Sequence, residues 1–133
     1  MYDFYFTYKK NIKKDPEKFL IFVKRLLPRW ANGIPNTECV AIFKHLEKLK
    51  KKNKKKLVLL ETGSGASTIA MYLHCSINGG RMFSWDTNAT KGSFLKTVIN
   101  QSIDQVLGTN ANKIWTFIPY DSTDQNVGLE VLK

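Results

Sequence analysis

An acid one residue ahead of a glycine turn marks the part of this 133-residue chain best suited to hold a small molecule, "KKKLVLLETGSGASTIAMYLH", residues 54–74. Leu57 to Leu60 form a short apolar run, Glu61 follows, and Gly63 and Gly65 precede a helix-like pattern. A strand, a glycine turn and a helix bring backbone N–H groups and a helix N-terminus to any ligand at the strand's carboxyl end. The candidate contacts from this turn are Glu61, Thr62, Gly63, Ser64 and Gly65. Asp86 and Thr87 close the next apolar segment, and Asp121 and Ser122 follow the third. A phosphate-binding loop needs a lysine after its second glycine, and "GSGAST" has none. A dinucleotide turn needs G-x-G-x-x-G; Gly63 and Gly65 fit, but Thr68 stands in the third place. Glu61 beside a pyrophosphate would cost on the order of one to a few kcal/mol in repulsion at a partly dry turn. A ligand with a positive end turns the same carboxylate into an attractive contact.

On these residues, "LVLLETGSGAST" resembles the first motif of the class I S-adenosylmethionine-dependent methyltransferases: an apolar strand, an acid, then G-x-G. The resemblance implies that Glu61 holds the methionine amino end and that Gly63, Ser64 and Gly65 let backbone pack against S-adenosylmethionine. It also implies that Asp86, in "MFSWDTN", accepts hydrogen bonds from the ribose hydroxyls, and that Asp121 and Ser122, in "IPYDST", lie near the adenine. Asp86 alone does not discriminate, because a nicotinamide fold uses an acid at the same place. An NAD(P)-binding oxidoreductase fragment therefore stays as an alternative, as does a non-catalytic binding or assembly module. Each acid also has a structural reading: Glu61 and Asp86 as helix caps, Asp121 as a turn former.

The elements that must position these residues follow from periodicity. Asp15 is a natural N-cap and Pro16 a natural first helical residue, and Phe19, Phe22, Val23, Leu26 and Leu27 recur at helical spacing up to Pro28. A second helix starts near Asn36 or Thr37, with Val40, Ile42, Phe43, Leu46 and Leu49 inward, and ends in the lysines. After residue 56 strand and helix alternate. Leu57–Leu60 reads as a strand covered on both faces; a helix then runs to Asn78-Gly79-Gly80. "RMFSWD" is a second strand, Asn88 to Leu107 one long helix, and Lys113 to Ile118 a third strand. "DQNVGLEVLK" begins a further helix. Alternation of this kind implies a parallel sheet with right-handed crossovers.

The expected architecture is thus α/β, a Rossmann-like parallel sheet with flanking helices, preceded by two N-terminal helices. Residues 1–56 form a basic helical segment, and residues 57–133 a partial S-adenosylmethionine-binding domain that stops after the third of the family's seven strands. The first strand is then an unpaired apolar edge open to oligomer formation, and the chain reads as a truncated copy or part of a longer methyltransferase. Its acceptor is unidentified, a small molecule ranking ahead of RNA or protein, and no catalytic base is named.

Charge and composition narrow the classes further. The net charge of +10 is uneven: residues 1–56 carry 16 Lys and Arg against 5 acids, residues 57–133 carry 5 against 6. Most of the excess is Lys48 to Lys56, which lacks the aromatics and arginines of a nucleic-acid groove and reads as a solvated helix end. No apolar run reaches the roughly 18 residues of a membrane span. The start of the chain lacks a secretion pattern, and Cys39 and Cys75 read as reduced thiols, so a cytoplasmic protein is expected. His45 reads as a surface residue, His74 beside Cys75 carries no metal expectation, and Trp30 packs the N-terminal helices on the sheet or folds over a ligand.

Overall fold

A computed structural model describes residues 12, 14–121 and 123. Helix α1, Pro16–Lys24, starts where expected: the Asp15 carboxylate accepts the Lys18 N–H at 3.1 Å, and Pro16 occupies the first turn. Its buried face is Phe19, Leu20 and Val23. A 3-10 turn, Arg29–Ala31, leads to α2, Asn36–Asn53, which buries Cys39, Phe43 and Leu46. Lys50, Lys51 and Lys52 sit in its last turn, where the helix dipole favours positive charge, and Lys54 ends it in the left-handed conformation.

Strand β1, Leu57–Thr62, follows, then α3, Ala66–Asn78, the central helix of the molecule. Ile69, Tyr72 and Leu73 of α3 are fully buried, and α1 and α2 pack against it. Strand β2 is Gly80–Trp85; the stop after α3 is Gly79, since Gly80 already pairs with Leu57. The expected continuous helix from Asn88 to Leu107 is two: α4, Ala89–Gln101, and α5, Ile103–Leu107. Ser102 divides them; its backbone leaves helical geometry and its buried hydroxyl donates to the Val98 carbonyl at 2.6 Å, the local side-chain bond that competes with a helix ladder. A short helix α6, Ala111–Ile114, takes the start of the expected third strand, and β3 is Trp115–Ile118. Asp104 organises this connection by accepting from Tyr72 Oη (2.5 Å), Thr109 Oγ1 (2.8 Å) and the Ala111 N–H (3.1 Å). Burial, then the bond to Asp104, pushes the Tyr72 phenol well up. The expected helix over residues 124–133 and the candidate Ser122 lie outside the described residues.

The sheet is three-stranded, parallel and ordered β1-β2-β3, in register from Leu57↔Gly80 to Thr62↔Trp85 and from Met82↔Trp115 to Trp85↔Ile118. The class is therefore α/β with a parallel sheet flanked by helices. Strands laid down in one direction with right-handed crossovers send their helices to the same face. That face buries Met82 and Trp115 under α3 and its neighbours, with Leu57, Leu59 and Phe117 packed at the margin. The opposite face holds a small separate cluster of Phe83, Trp85 and Ile118. Here β1 departs from expectation: it alternates rather than being covered twice, with Val58 65% and Leu60 54% exposed. Among the described residues, β1 pairs on one side only, as expected for an edge.

Among the described residues no helix is long and apolar enough to cross a membrane. Cys39 and Cys75 are free and buried. Burial pushes the Cys39 thiol up to about 11, despite the opposing pull of Lys24, and Cys75 up to about 12. Thiolate is the reacting species, so iodoacetamide at neutral pH is expected to modify neither in the native protein and both once urea unfolds it. Mass spectrometry reads this directly; rapid native alkylation of either thiol would contradict the packing.

Candidate functional site

The carboxyl ends of all three strands meet at the glycine turn. Past the end of β1, the Gly63 N–H donates to the Trp85 carbonyl at 2.6 Å, and past β2 the Asp86 N–H donates to the Ile118 carbonyl at 3.1 Å. These two bonds prolong the ladders by one step and hold the three chain exits side by side. Gly63 takes φ +82°, a conformation L side chains rarely adopt. A cleft of about 230 Å³ lies over these exits, lined by Gly63, Trp85, Asp86, Thr87, Tyr120 and Asp121. A second, of about 280 Å³, adjoins it through Trp85 and is lined by Leu60, Glu61 and Thr62. Larger hollows of about 380 and 340 Å³ run along α1 and α2 and contain none of the strand-end residues.

Asp86 ties the turn to β2. Its Oδ2 accepts the Ser64 N–H at 3.0 Å and the Ser64 hydroxyl at 2.7 Å, and its Oδ1 accepts the Asn88 N–H at 2.9 Å. The Lys91 ammonium stands 3.5 Å from Oδ2. Burial alone would raise this carboxyl, but the bonds from Asn88 and Ser64 together with Lys91 outweigh it and hold the group below its usual value. Asp121, fully exposed, accepts from the Thr123 N–H and hydroxyl, both at 2.9 Å, and these bonds lower it.

Glu61 sits differently from its neighbours. It lies on the helix-covered face and its carboxylate is met by three hydroxyls: Thr68 at 2.5 Å and Ser84 at 2.6 Å on Oε1, and Ser67 at 3.0 Å on Oε2. Burial pushes the carboxyl up; the three hydroxyls pull it back and the Asp86 charge adds to the rise, leaving it raised. Two donor chains converge on the same oxygen. The Gly65 N–H donates to Thr68 Oγ1 at 3.0 Å, and the Trp115 indole N–H donates to Ser84 Oγ at 2.9 Å. Glu61 is therefore the hub between the glycine turn, the first turn of α3 and β3.

Of the residues expected at the site, Gly63, Asp86, Thr87 and Asp121 line one cleft, Glu61 and Thr62 line its neighbour, and Ser64 and Gly65 form the turn behind them. Residues that sequence reasoning did not single out are Trp85 and Tyr120 as walls, Lys91 beside Asp86, the hydroxyls of Ser67 and Ser84 on Glu61, and Trp115 bonded to Ser84. Ser67 and Thr68 were visible as hydroxyls at a helix start. Ser84 and Trp115 were not, because only strand register sets Ser84 opposite Glu61. Trp30 is half-exposed and packs on Phe94 of α4, ring centroids 5.1 Å apart. The next residue, Ala31, brings its carbonyl to 3.1 Å from where a Gly65 Cβ would sit, so this segment rests on the turn. His45 is exposed, and His74 is buried with Nδ1 2.7 Å from Glu47 Oε1. Among the described residues no cluster of His, Cys, Asp and Glu could hold a metal ion. No protein-family model, curated protein or solved structure matches this chain, so its functional reading rests on these residues and their geometry.

Proposed function

We propose that the strand-end cleft binds S-adenosylmethionine and that the chain is the cofactor-binding part of a methyltransferase. The observation that carries the reading is the charge around the Gly63 backbone. Asp86 and Asp121 line the cleft, the Glu61 carboxylate beside the turn is taken up by the hydroxyls of Ser67, Thr68 and Ser84, and Lys91, a cation next to Asp86, is already set against it. A site of that sign favours a ligand bearing an ammonium and a sulfonium and disfavours a diphosphate.

The residues fit the group on two counts. Nothing lies within 4 Å of where a Cβ on Gly63 would project, so a ligand can rest directly on that backbone. A carboxylate offers about four acceptor positions. Asp86 Oδ1 has accepted one bond, from Asn88, and has room for a ribose hydroxyl. Glu61 fits less simply: its oxygens are engaged by Ser67, Thr68 and Ser84, so its part is to hold the turn, with one position left on Oε2 for the ligand's ammonium end. When bound, S-adenosylmethionine supplies an electrophilic methyl group that an acceptor attacks in line, a reaction governed by positioning. The acceptor we favour is a small molecule ahead of RNA or protein, and the buried unpaired thiols support a reducing, cytoplasmic setting.

Thermal shift and calorimetry with S-adenosylmethionine, S-adenosylhomocysteine, NADH and a short RNA test this. The two sulfur ligands are expected to stabilise the protein and the other two to leave it unchanged. Asp86→Asn, which turns one accepting oxygen into a donor, is expected to weaken both about tenfold. Stabilisation by NADH alone would move the assignment to an oxidoreductase, and by RNA alone to a binding module; either result overturns the proposal.

A further inference from the structure

We infer that Ser84 and Trp115 are positioning residues for the glycine turn, acting through Glu61. The directions of the hydrogen bonds carry this. A serine or threonine hydroxyl has one proton to give and lone pairs to receive. Ser84 gives its proton to Glu61 Oε1 and receives the Trp115 indole N–H; Thr68 gives its proton to the same Oε1 and receives the Gly65 N–H. Each chain therefore runs one way, and both end on one oxygen. Bonds linked in this fashion polarise one another and act as a unit. Ser84 and Thr68 are both fully buried, so water does not replace either link.

The consequence is a mechanical connection from the third strand to the backbone N–H of Gly65. Trp115 is anchored at the start of β3, in register with Met82. Its indole sets the Ser84 hydroxyl, which sets the Glu61 carboxylate, which sets the Thr68 rotamer that receives Gly65. Without Ser84, Oε1 loses one of two donors and the Trp115 N–H loses its acceptor. Glu61 then has one fewer restraint while it holds Thr68 and Ser67, and the turn loosens although none of its own residues has changed. That the turn so positioned binds a ligand rests on the reading above; the hold of β3 on the turn does not.

Amide hydrogen exchange on the ligand-free chain separates the two. In Ser84→Ala, the hydrogen-bonded amides of Ser64, Gly65 and Thr68 are expected to exchange about tenfold faster, while those of Phe43 and Leu46 in α2 change only as global stability does. Trp115→Phe keeps an aromatic, though smaller, ring and removes the indole donor; it is expected to give the same local pattern at lower amplitude, and it serves should Ser84→Ala fold poorly. Where the wild type binds S-adenosylhomocysteine, both variants are expected to weaken it several-fold. Turn amides that stay as protected as in the wild type, or that speed up only in step with α2, overturn the inference whatever the ligand result. A wild-type chain that ignores S-adenosylhomocysteine yet shows the local effect overturns the functional proposal alone.

Discussion

Glu61→Ala is expected to destabilise the protein by about 2–4 kcal/mol, whereas Glu61→Gln costs about 1 kcal/mol or less. Alanine leaves the hydroxyls of Ser67, Thr68 and Ser84 without their acceptor, two of them fully buried, and each abandoned buried donor costs about 1–3 kcal/mol before relaxation. Glutamine keeps a carbonyl oxygen where Thr68 and Ser84 converge, and the Ser67 hydroxyl can rotate to receive the new amide. Urea unfolding of both variants at one pH gives the comparison. Equal losses would mean that charge, rather than acceptor geometry, is what the site needs.

The same residue fixes the sign of a pH dependence. Its carboxyl is raised above the usual 4.5, burial being the first cause. The native state then holds that proton more tightly than the unfolded chain. The stabilisation it brings is complete below pH 4.5 and is lost as pH rises through the native value. Asp86 acts in the opposite sense: held below its usual 3.8, it stabilises above that pH, and the benefit disappears as pH falls through its native value. Subtracting the stability–pH profile of Glu61→Gln from that of the wild type isolates the first effect. The difference is expected to decline with rising pH above 4.5; a rise there would reverse the assignment.

Gly80→Ala is expected to cost about 3 kcal/mol or more, the largest effect of any single methyl at the glycines. Gly80 has φ +125°, outside the range of ordinary L residues, and an added Cβ would lie 2.6 Å from the Leu57 carbonyl oxygen. That oxygen is backbone in the paired strand, so it moves only if β1 and β2 separate where their register begins. Strain of this kind costs about 1–3 kcal/mol from the dihedral alone, and the contact adds to it. Gly33→Ala is the control: nothing lies within 4 Å of its Cβ position, and its effect is expected to stay within about 0.5 kcal/mol. The urea midpoint should fall for the first variant and hold for the second. A Gly80→Ala midpoint matching the wild type would mean that the strands are not this close.

Local signals were read well wherever a residue acts on its own neighbours. Asp15 and Pro16 start α1 because cap and first turn are contiguous in the chain. Gly63 and Asp86 fall at strand ends because apolar runs bounded by turn residues mark those ends. What failed depended either on partners far away in sequence or on a local side-chain bond that hydrophobic periodicity does not register. Leu57–Leu60 looked like a doubly covered strand, but a run of apolar residues cannot say how many faces will be covered. Both crossovers went to one side, leaving Val58 and Leu60 exposed. The helix pattern from Asn88 to Leu107 is continuous in hydrophobicity, yet Ser102 breaks it by bonding to Val98.

By itself the sequence determined which carboxylates stand at the strand ends, the alternation that demands a parallel sheet, and the sign of charge around the turn. These are properties of order and composition along one chain. Only the tertiary structure decided that Glu61 turns inward to three hydroxyls while Asp86 and Asp121 face the cleft. Side-chain direction on a strand follows register, and register is settled by pairing between segments more than twenty residues apart. Ser84 reaches Glu61 because the two sit opposite each other on neighbouring strands.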